Sequence, residues 1–428
     1  MDFMRLAAEN EQYTIEKRRY LHERPELTGK EYNTLAFIRS ELDRMGISYQ
    51  EVKYGGIIGW IRGKKAGDSG KTLLLRADMD ALPVEEDENN LNRQREVVSK
   101  TPGVSHMCGH DGHTAMLLTS AKLLQEHRDE LDGNVILMFE RGEEGGENCY
   151  FLLKYLLEEQ IRVDGCWSMH MAPAVDAGKI AVLDDGVMAG LCAFDVTIKG
   201  KGGHGSRPDL ANNPVDCYSA IATALQSVPM REISPFQVLT YTICLLNASP
   251  KINVIPEQVR FGGTARFYEK ELVGEPFKRA FLRICDHIAA AYDCTLEYNQ
   301  FLGPLNALKN HPQCTAMARK FLGQLLGPEQ VVTSEPLMGS ESMAEVHLYY
   351  PGVYCLLGTK NEALGCGADM HHPQFDLDES VLKIGVAATL AYTFGFLSEE
   401  EPLQFAPYDG DLRGLYSEAV DQILKEEA

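Results

Sequence analysis

The nine residues from Ser105 to His113 (SHMCGHDGH) bring together one thiol, three imidazoles and a carboxylate. Cys108 and His110 flank a single glycine, which permits a tight backbone turn that can place a thiolate and an imidazole on one metal ion. A lone histidine is more often a hydrogen-bonded structural residue, and we expect that role for His106 and His113. No second Cys/His pair lies at zinc-finger spacing. The segment therefore favours metal binding of another kind.

Two adjacent acids, Glu143 and Glu144, follow the apolar run NVILMF and precede two glycines. At the carboxyl end of a buried strand, one such carboxylate can bind a metal ion while its neighbour takes a proton from water. The alternative is a solvated acidic loop, which the apolar strand and the nearby metal-binding pattern disfavour. The pair therefore predicts one ligand and one general base.

Two more histidines occupy similar positions, since His170 ends the predicted strand GCWSMH and His371 follows the small-residue loop GCGADM. Together with the residues above they give five potential ligands, namely Cys108, His110, Glu144, His170 and His371. This number suits two metal ions that share a bridging group.

Short apolar runs alternate with helical patterns along the first part of the chain. The strands are predicted at 72–77, 134–140 and 165–171, and the helices at 112–127 and 149–159. Such alternation predicts an α/β fold with a doubly wound, mainly parallel sheet, in which ligands gather at the carboxyl ends of the strands. An earlier helix is predicted from Gly29 to Met45, with Thr28 and Glu31 forming a capping box.

A different order of elements begins near Ala189. The pattern there is βαββαβ, which predicts an inserted ferredoxin-like α+β domain. We therefore predict a catalytic domain from 1–188 and 304–428, interrupted by a lid or dimerisation domain at 189–303. Apolar residues from Leu412 to Leu424 predict an amphipathic C-terminal helix packed on the catalytic domain.

Composition limits the partners. The 428 residues carry a formal charge of −21, from 41 basic and 62 acidic side chains, so nucleic acid and anionic membranes are poor candidates. The first twenty residues contain no apolar signal region, and the apolar uncharged stretch 384–397 is too short to span a bilayer. Eleven cysteines without paired spacing indicate reduced thiols, which favours the cytoplasm.

The sequence resembles the M20 metallopeptidase family, and most closely its amidohydrolase branch, which includes aminoacylase-like, hippurate and auxin-conjugate hydrolases. The motifs that carry the resemblance follow one another in the family's order: LLLRADMDALPVEE (73–86), HMCGHDGHTAMLL (106–118), EEGG (143–146), SMHM (168–171), GKGGHGSRPDLANNP (200–214), INVIPEQVRFGGTAR (252–266) and MHHPQFDLDE (370–379).

The resemblance implies a role for each candidate in the catalytic domain. Cys108 would bridge two divalent ions, either zinc or manganese. His110 and His170 would complete the coordination of one ion, and Glu144 and His371 that of the other. Glu143 would act as general base and later as proton donor, while Asp80 would hold a histidine ligand in orientation.

The resemblance also implies roles for residues of the inserted domain. His204 is similar to the histidine that such enzymes present across a dimer to the developing oxyanion, so a homodimer through this domain is expected. Asn253 and Arg266 resemble contacts to the substrate carboxylate, with which an arginine can form a bidentate pair. The alternative for Arg266 is a surface arginine on a strand.

Three segments depart from the family pattern. Peptidase relatives carry His-x-Asp where this chain has Asp78-Met79-Asp80, so one ligand role passes to His110. The sequence FERGEE stands where the branch usually has Gln-Pro-Ala-Glu-Glu after the strand, and Ser342-Met343 stands where Asp-Phe is common. These departures leave the substrate preference open.

The prediction is a metal-dependent amidohydrolase that cleaves the amide bond of an N-acyl amino acid or related small amide. A di- or tripeptidase of the same family is the first alternative, and a non-catalytic metal-binding member is the second. The adjacent Glu143 and Glu144 argue against the second, because a binding protein has no use for a base. A zinc-dependent base deaminase is disfavoured because its Pro-Cys-x-x-Cys element is missing.

Overall fold

The computed structural model describes residues 1–64, 70–249, 251–416 and 419–426. These divide into two compact units. The first contains Met1–Val187, Lys309–Glu335 and the chain from Ser342 onward, and the second contains Met188–Leu308 and Pro336–Glu341.

The α-helices are α1 (Phe3–Glu9), α2 (Glu11–His22), α3 (Tyr32–Met45), α4 (His110–Glu126), α5 (Cys149–Glu158), α6 (Pro214–Leu225), α7 (Val228–Arg231), α8 (Glu275–Ala291), α9 (Pro312–Leu326), α10 (Met343–Tyr349), α11 (Leu382–Ser398), α12 (Leu412–Leu415) and α13 (Ala419–Glu426). The strands are β1 (Ser48–Val52), β2 (Gly56–Arg62), β3 (Thr72–Asp78), β4 (Asn134–Glu140), β5 (Gly165–Asp176), β6 (Ile180–Val182), β7 (Gly186–Met188), β8 (Gly190–Lys199), β9 (Gly203–His204), β10 (Leu239–Asn247), β11 (Val254–Ile255), β12 (Gln258–Phe267), β13 (Thr295–Leu302), β14 (Leu308–Lys309), β15 (Val331–Val332) and β16 (Gly352–Lys360).

The first unit is built on an eight-stranded sheet in the order β1-β2-β4-β3-β5-β16-β6-β15. Its centre, β4-β3-β5-β16, is parallel, and antiparallel pairs join β1, β2 and β6 to it. Every residue of β3 is buried, so both faces of the sheet are covered. The predicted mainly parallel α/β sheet is confirmed, while the antiparallel β1 and β2 escaped the sequence analysis.

The register of the parallel strands places their polar residues at the same level of the sheet. Asp78 at the end of β3 pairs with Glu140 at the end of β4. Arg76 on β3 pairs with Ser168 on β5. Asp78 and His170 each lie two residues farther along their strands, so they are at the same level. The segments that follow β3 and β4 therefore start from the same edge of the sheet, as ligand-bearing loops of parallel sheets do. The predicted end of the third strand near His170 was wrong, because β5 continues to Asp176 and pairs with β16 beyond that histidine.

The second unit contains a four-stranded antiparallel sheet in the order β10-β12-β8-β13. Buried residues of β8 and β12 form one core with those of α6 and α8. The predicted βαββαβ order is confirmed. The unit extends to Leu308 and also includes Pro336–Glu341, which the sequence had assigned to the catalytic domain. The reason is hydrogen bonding, because the Ala189 amide donates to the carbonyls of Leu337 and Gly339 at 3.0 and 2.7 Å.

Two local predictions were wrong. Helix α3 begins at Tyr32 rather than Gly29, and the Thr28 hydroxyl donates to Asp80 Oδ2 at 2.8 Å instead of capping the helix. At the C-terminus, α12 ends at Leu415 because Tyr416 is extended (φ −105°, ψ 146°), so the predicted continuous helix is divided. Tyr416 is nevertheless buried, with its ring 5.3 Å from that of Tyr150, and it packs on the first unit.

The most apolar helical stretch, Glu379–Ser398, includes α11. Its length and composition would also suit a membrane span, but 72% of the most apolar window is buried inside the structure. Ala387, Leu390 and Phe396 belong to the same core as β3 and β5. Burial in that core accounts for the apolar surface of this stretch.

Gly56 is a position where the fold tolerates a side chain poorly. It has a φ of +133°, and a Cβ there would lie 2.0 Å from the carbonyl oxygen of Phe139 on β4. We expect Gly56→Ala to lower the free energy of unfolding by about 3 kcal/mol, because the β2–β4 pair must separate. Gly46→Ala is the control, since its φ of +65° is strained but no atom lies within 4 Å, and it should cost about 1 kcal/mol. Urea denaturation measures both, and equal losses would contradict the steric argument.

Candidate metal centre

Three predicted ligands meet beside the end of β3 and the middle of β5, which contains His170. The ligand atoms of Cys108, His110 and His170 lie within 4.8 Å of one another, and all three residues are buried. Cys108 Sγ is 3.5 Å from His170 Nε2. The sequence placed these residues in two separate segments, and the structure brings them together.

Cys108 also belongs to a second group, with Glu144 and His371, whose ligand atoms likewise lie within 4.8 Å of one another. Glu144 Oε1 is 3.3 Å from His371 Nε2 and 4.0 Å from His110 Nε2. The thiol is therefore shared by a group with two imidazoles and a group with a carboxylate and an imidazole. That arrangement is the one expected of a bridging ligand.

Backbone conformation places these ligands. Gly109 has a φ of +90° and a Cβ there would lie 2.8 Å from Met171, so glycine permits the turn that separates Cys108 from the start of α4. Gly142 turns the chain with a φ of +70° before the short 3₁₀ helix Glu143–Gly145. His371 itself has a φ of +64°, rare for a histidine, and its amide donates to the Met107 carbonyl at 2.7 Å.

Hydrogen bonds orient the two buried imidazoles. His170 Nδ1 donates to the Met171 carbonyl at 2.8 Å, which leaves Nε2 as the atom with a lone pair. His110 Nδ1 lies 3.1 Å from Asp80 Oδ1, and the other oxygen of Asp80 accepts from the Glu144 amide at 3.1 Å. Asp80 thus holds one imidazole and the backbone of one carboxylate ligand at once, the orienting position expected for it.

Two buried atoms of the group show that a cation fits. Within the described residues, His110 Nε2 and Glu144 Oε1 have no hydrogen-bond partner. Leaving buried polar atoms unsatisfied is costly, and a divalent ion would satisfy both. The donor set of one sulfur, three imidazole nitrogens and a carboxylate is one that zinc and related divalent ions accept.

The electrostatics of the site favour positive charge. Burial raises the pKa of the Cys108 thiol above its ordinary value. Burial alone would lower the pKa of His110, but the Asp78 carboxylate and the Cys108 sulfur outweigh it and raise that pKa. The Asp78 carboxylate would also favour a divalent cation, which binds a thiolate and a neutral imidazole, so metal binding and proton release are coupled here.

Glu143 lies beside the ligand atoms but is not one of the predicted ligands. Its carboxylate is grouped with those of Glu144 and His110 within 4.8 Å. One oxygen accepts a hydrogen bond of 3.3 Å from the Ser342 amide. A carboxylate so placed can exchange protons with a water molecule between the ligands, which is the geometric requirement for a general base.

His113 has the structural role expected for it. Its Nδ1 donates to Asp78 Oδ1 at 2.6 Å, and its Nε2 accepts from the Met171 amide at 2.9 Å. Both ring nitrogens are therefore in use, although the residue is near His110. His106 is also buried, and burial lowers its pKa to about 4, so its ring is neutral.

The predicted residues of the inserted domain lie in the second unit, and their roles remain predictions. His204 and Asn253 are close together, because β9 pairs with β11 and the Gly205 amide donates to the Asn253 carbonyl. His204 is exposed. Arg266 lies on β12, where burial lowers its pKa and its Nη1 has no hydrogen-bond partner among the described residues.

Arg18, which no pattern in the sequence marked, connects the two ligand-bearing segments. Its Nε donates to Asp111 Oδ2 at 2.7 Å, directly after His110, and its Nη1 donates to Glu379 Oε1 at 3.2 Å. His22 Nδ1 lies 2.8 Å from the same oxygen of Asp111. The Arg18 side chain is only 2% exposed, so this network lies in the interior.

Removing this guanidinium should destabilise the protein strongly. Arg18→Met would leave the buried carboxylate of Asp111 without its main positive partner, which costs about 3–5 kcal/mol of unfolding free energy. Arg5→Met is the control, because Arg5 is 68% exposed in its pair with Glu9 and should change stability by less than about 0.5 kcal/mol. Denaturant unfolding measures both variants. A loss at Arg18 as small as at Arg5 would show that the network contributes little.

Comparison with known proteins agrees with this site. The model of peptidase family M20/M25/M40 matches residues 74–393. Thermostable carboxypeptidase 1 of Saccharolobus solfataricus is 36% identical, covering 89% of this chain and 94% of the relative. N-acetyl-L-cysteine deacetylase of Bacillus subtilis is 32% identical, covering 86% of each chain.

A solved structure shares the fold as well. A Bacillus subtilis protein described as a dinuclear metal binding peptidase from the M20 family superposes with a TM-score of 0.74 at 29% identity, covering 90% of this chain and 98% of that one. The family match over most of the chain, two relatives above 30% identity and the converging ligands all agree. This chain belongs to the M20/M25/M40 peptidase family and is a metal-dependent hydrolase of amide C–N bonds with a two-metal site.

Proposed function

We propose that this protein hydrolyses the amide bond of a small N-acyl amino acid. The observation that carries the proposal is the placement of Cys108 between two groups of ligands, with Glu143 beside them as a separate carboxylate. The Bacillus subtilis relative named as an N-acetyl-L-cysteine deacetylase supports a substrate of this class.

The chain offers a complete set of residues for the two ions. His110 and His170 would hold one ion, Glu144 and His371 the other, and Cys108 would contact both. When bound, such ions polarise the amide carbonyl and lower the pKa of water. We propose zinc or manganese, since thiolate favours zinc while imidazole and carboxylate serve both.

The protein's own groups would move the proton. Glu143 would take a proton from the attacking water and return it to the departing amine nitrogen, because its carboxylate lies beside the ligand atoms and the Ser342 amide fixes one oxygen. Asp80 would keep His110 oriented through its 3.1 Å contact to Nδ1. Proton transfer by a positioned carboxylate contributes about 10²–10⁴-fold to the rate.

The second unit would supply the remaining contacts. We propose that His204 of one subunit stabilises the developing oxyanion in the other, and that Asn253 and Arg266 contact the substrate carboxylate. The buried Nη1 of Arg266, which lacks a partner among the described residues, supports an anionic ligand. Dimerisation through this unit is supported by the edge strand β10, on which Leu245 and Leu246 are exposed.

We also propose a cytoplasmic location. Its support is that all eleven cysteines are free and ten of them are buried. Reduced thiols in this number are typical of a reducing compartment.

A peptidase remains the second candidate, because the relative named as a carboxypeptidase is 36% identical over most of the chain. Both substrate classes end in a free carboxylate, but only the peptide offers a free amine on the other side of the bond. Protein loaded with zinc or with manganese should be assayed against N-acetyl, N-benzoyl, indole-acyl and succinyl amino acids and against free dipeptides. Faster turnover of the dipeptides would favour the peptidase.

The role of Glu143 can be separated from metal binding. We expect Glu143→Gln to lower kcat by about 10³-fold while both metal ions are retained, because the amide cannot accept the proton. Metal content by atomic emission and steady-state kinetics measure the two effects. Glu147→Gln is the control from the same loop and should stay within about twofold of wild type. Near-normal turnover by Glu143→Gln would remove it from this role.

Mixed dimers test the proposed position of His204. If it acts across the dimer, a heterodimer of Glu143→Gln and His204→Ala subunits contains one site with both residues intact. An equal mixture of the two inactive variants, refolded or coexpressed, should then regain about a quarter of wild-type activity, since half of the dimers are mixed. No recovery in a verified heterodimer, or a monomer by light scattering, would contradict this arrangement.

A further inference from the structure

Arg76, near the end of β3, is a buried cation whose nitrogens all donate hydrogen bonds. Nη1 donates to Asp78 Oδ2 at 2.7 Å, and Nε donates to Glu140 Oε2 at 2.8 Å. Nη2 donates to Ser342 Oγ at 3.0 Å. The side chain is 1% exposed. A planar guanidinium held at three nitrogens has one orientation, so its acceptors are also fixed relative to one another.

Two of these acceptors connect Arg76 to Glu143. The backbone amide of Ser342 donates to Glu143 Oε1 at 3.3 Å, so the residue that accepts from Arg76 also contacts the proposed base. Glu140 is the last residue of β4, three positions before Glu143. Arg76 therefore constrains Glu143 from both sides, through Ser342 across space and through Glu140 along the chain.

Glu140 and Ser342 are also positions at which this sequence departs from the pattern of the amidohydrolase branch. That pattern has glutamine at the first position and aspartate at the second, whereas this chain has glutamate and serine. The two positions are far apart in sequence, yet both side chains contact one guanidinium.

We propose that Arg76, Glu140 and Ser342 form a positioning network for Glu143, in which Glu140 supplies a carboxylate partner of Arg76 and Ser342 connects Arg76 to Glu143. The network acts through Glu143 and touches no reacting atom. This inference depends on the proposed role of Glu143 as the base. A base displaced by a fraction of an ångström loses much of its effect, so disturbing the network should lower kcat far more than it changes KM.

Relocating the charge tests the network. Glu140→Gln removes a carboxylate from Arg76, and Ser342→Asp adds one close to Glu143. Each single variant should lower kcat by about 10–100-fold, with KM within about twofold and two metal ions retained. The double variant Glu140→Gln/Ser342→Asp restores one carboxylate to the pair and should return to within about fivefold of wild type, because residues that share a partner are not additive. The substrate is the N-acyl amino acid that the wild-type protein hydrolyses fastest.

Two further variants complete the experiment. Ser342→Ala removes only the hydroxyl acceptor and should lower kcat by about tenfold, which keeps the test informative if an aspartate disturbs folding. Glu41→Gln is the matched control, because Glu41 is a buried glutamate of α3 that pairs with Lys17 of α2, and this variant should leave kcat unchanged. Melting temperature and metal content are measured for every variant.

The outcomes separate the positioning network from the proposed role of Glu143. Two results would refute the network while leaving Glu143 as the base, provided that Glu143→Gln is inactive. The first is a wild-type kcat in each single variant. The second is a double variant whose fold loss of kcat equals the product of the losses in the two single variants. The network is also refuted if the loss of kcat in each variant simply follows the loss of melting temperature, since such a correlation indicates a structural role. If Glu143→Gln is fully active, the proposed function and the network both fail.

Discussion

Buried lone pairs need positive charge, and the first unit is arranged around that requirement. His110 Nε2 and Glu144 Oε1 lie in the interior without a hydrogen-bond partner among the described residues, next to a buried thiol. A hydrogen-bonding group on the protein could satisfy such atoms only by filling the space between them. A pair of divalent ions would satisfy them, and Glu143 beside the ligand atoms is the group that favours catalysis over structural metal binding.

The parallel sheet makes this concentration of ligands possible. Because β3 and β4 end level with His170 of β5, the segments that follow β3 and β4 start close to that histidine. The charged residues beneath the ligands are themselves neutralised in pairs, as in Arg18 with Asp111 and Arg76 with Glu140. Such interior pairs add little net stability compared with apolar packing, but losing one partner is costly, so they define a single arrangement of the loops above them.

The sequence predicted the parts of this structure that depend on local pattern. The thiol and imidazoles around Gly109, the acid pair after β4 and the βαββαβ order follow from spacing and periodicity. The sequence could not predict contacts between distant segments. Arg18 reaches partners 93 and 361 residues away, and nothing in a single sequence marks it. Thr28 resembled a helix cap because a local pattern and a tertiary partner compete for one hydroxyl, and the tertiary partner Asp80 prevailed. The convergence of Glu140 and Ser342 on one arginine was likewise visible only in three dimensions.

The central claim is that Cys108 contacts two metal ions in the first unit. Anomalous X-ray diffraction from crystals of zinc-loaded protein, recorded on both sides of the zinc absorption edge, locates such ions directly. The account predicts two anomalous peaks per chain on either side of the Cys108 sulfur, one next to His110 and His170 and the other next to Glu144 and His371. A single peak, or peaks away from Cys108 in fully loaded protein, would contradict it.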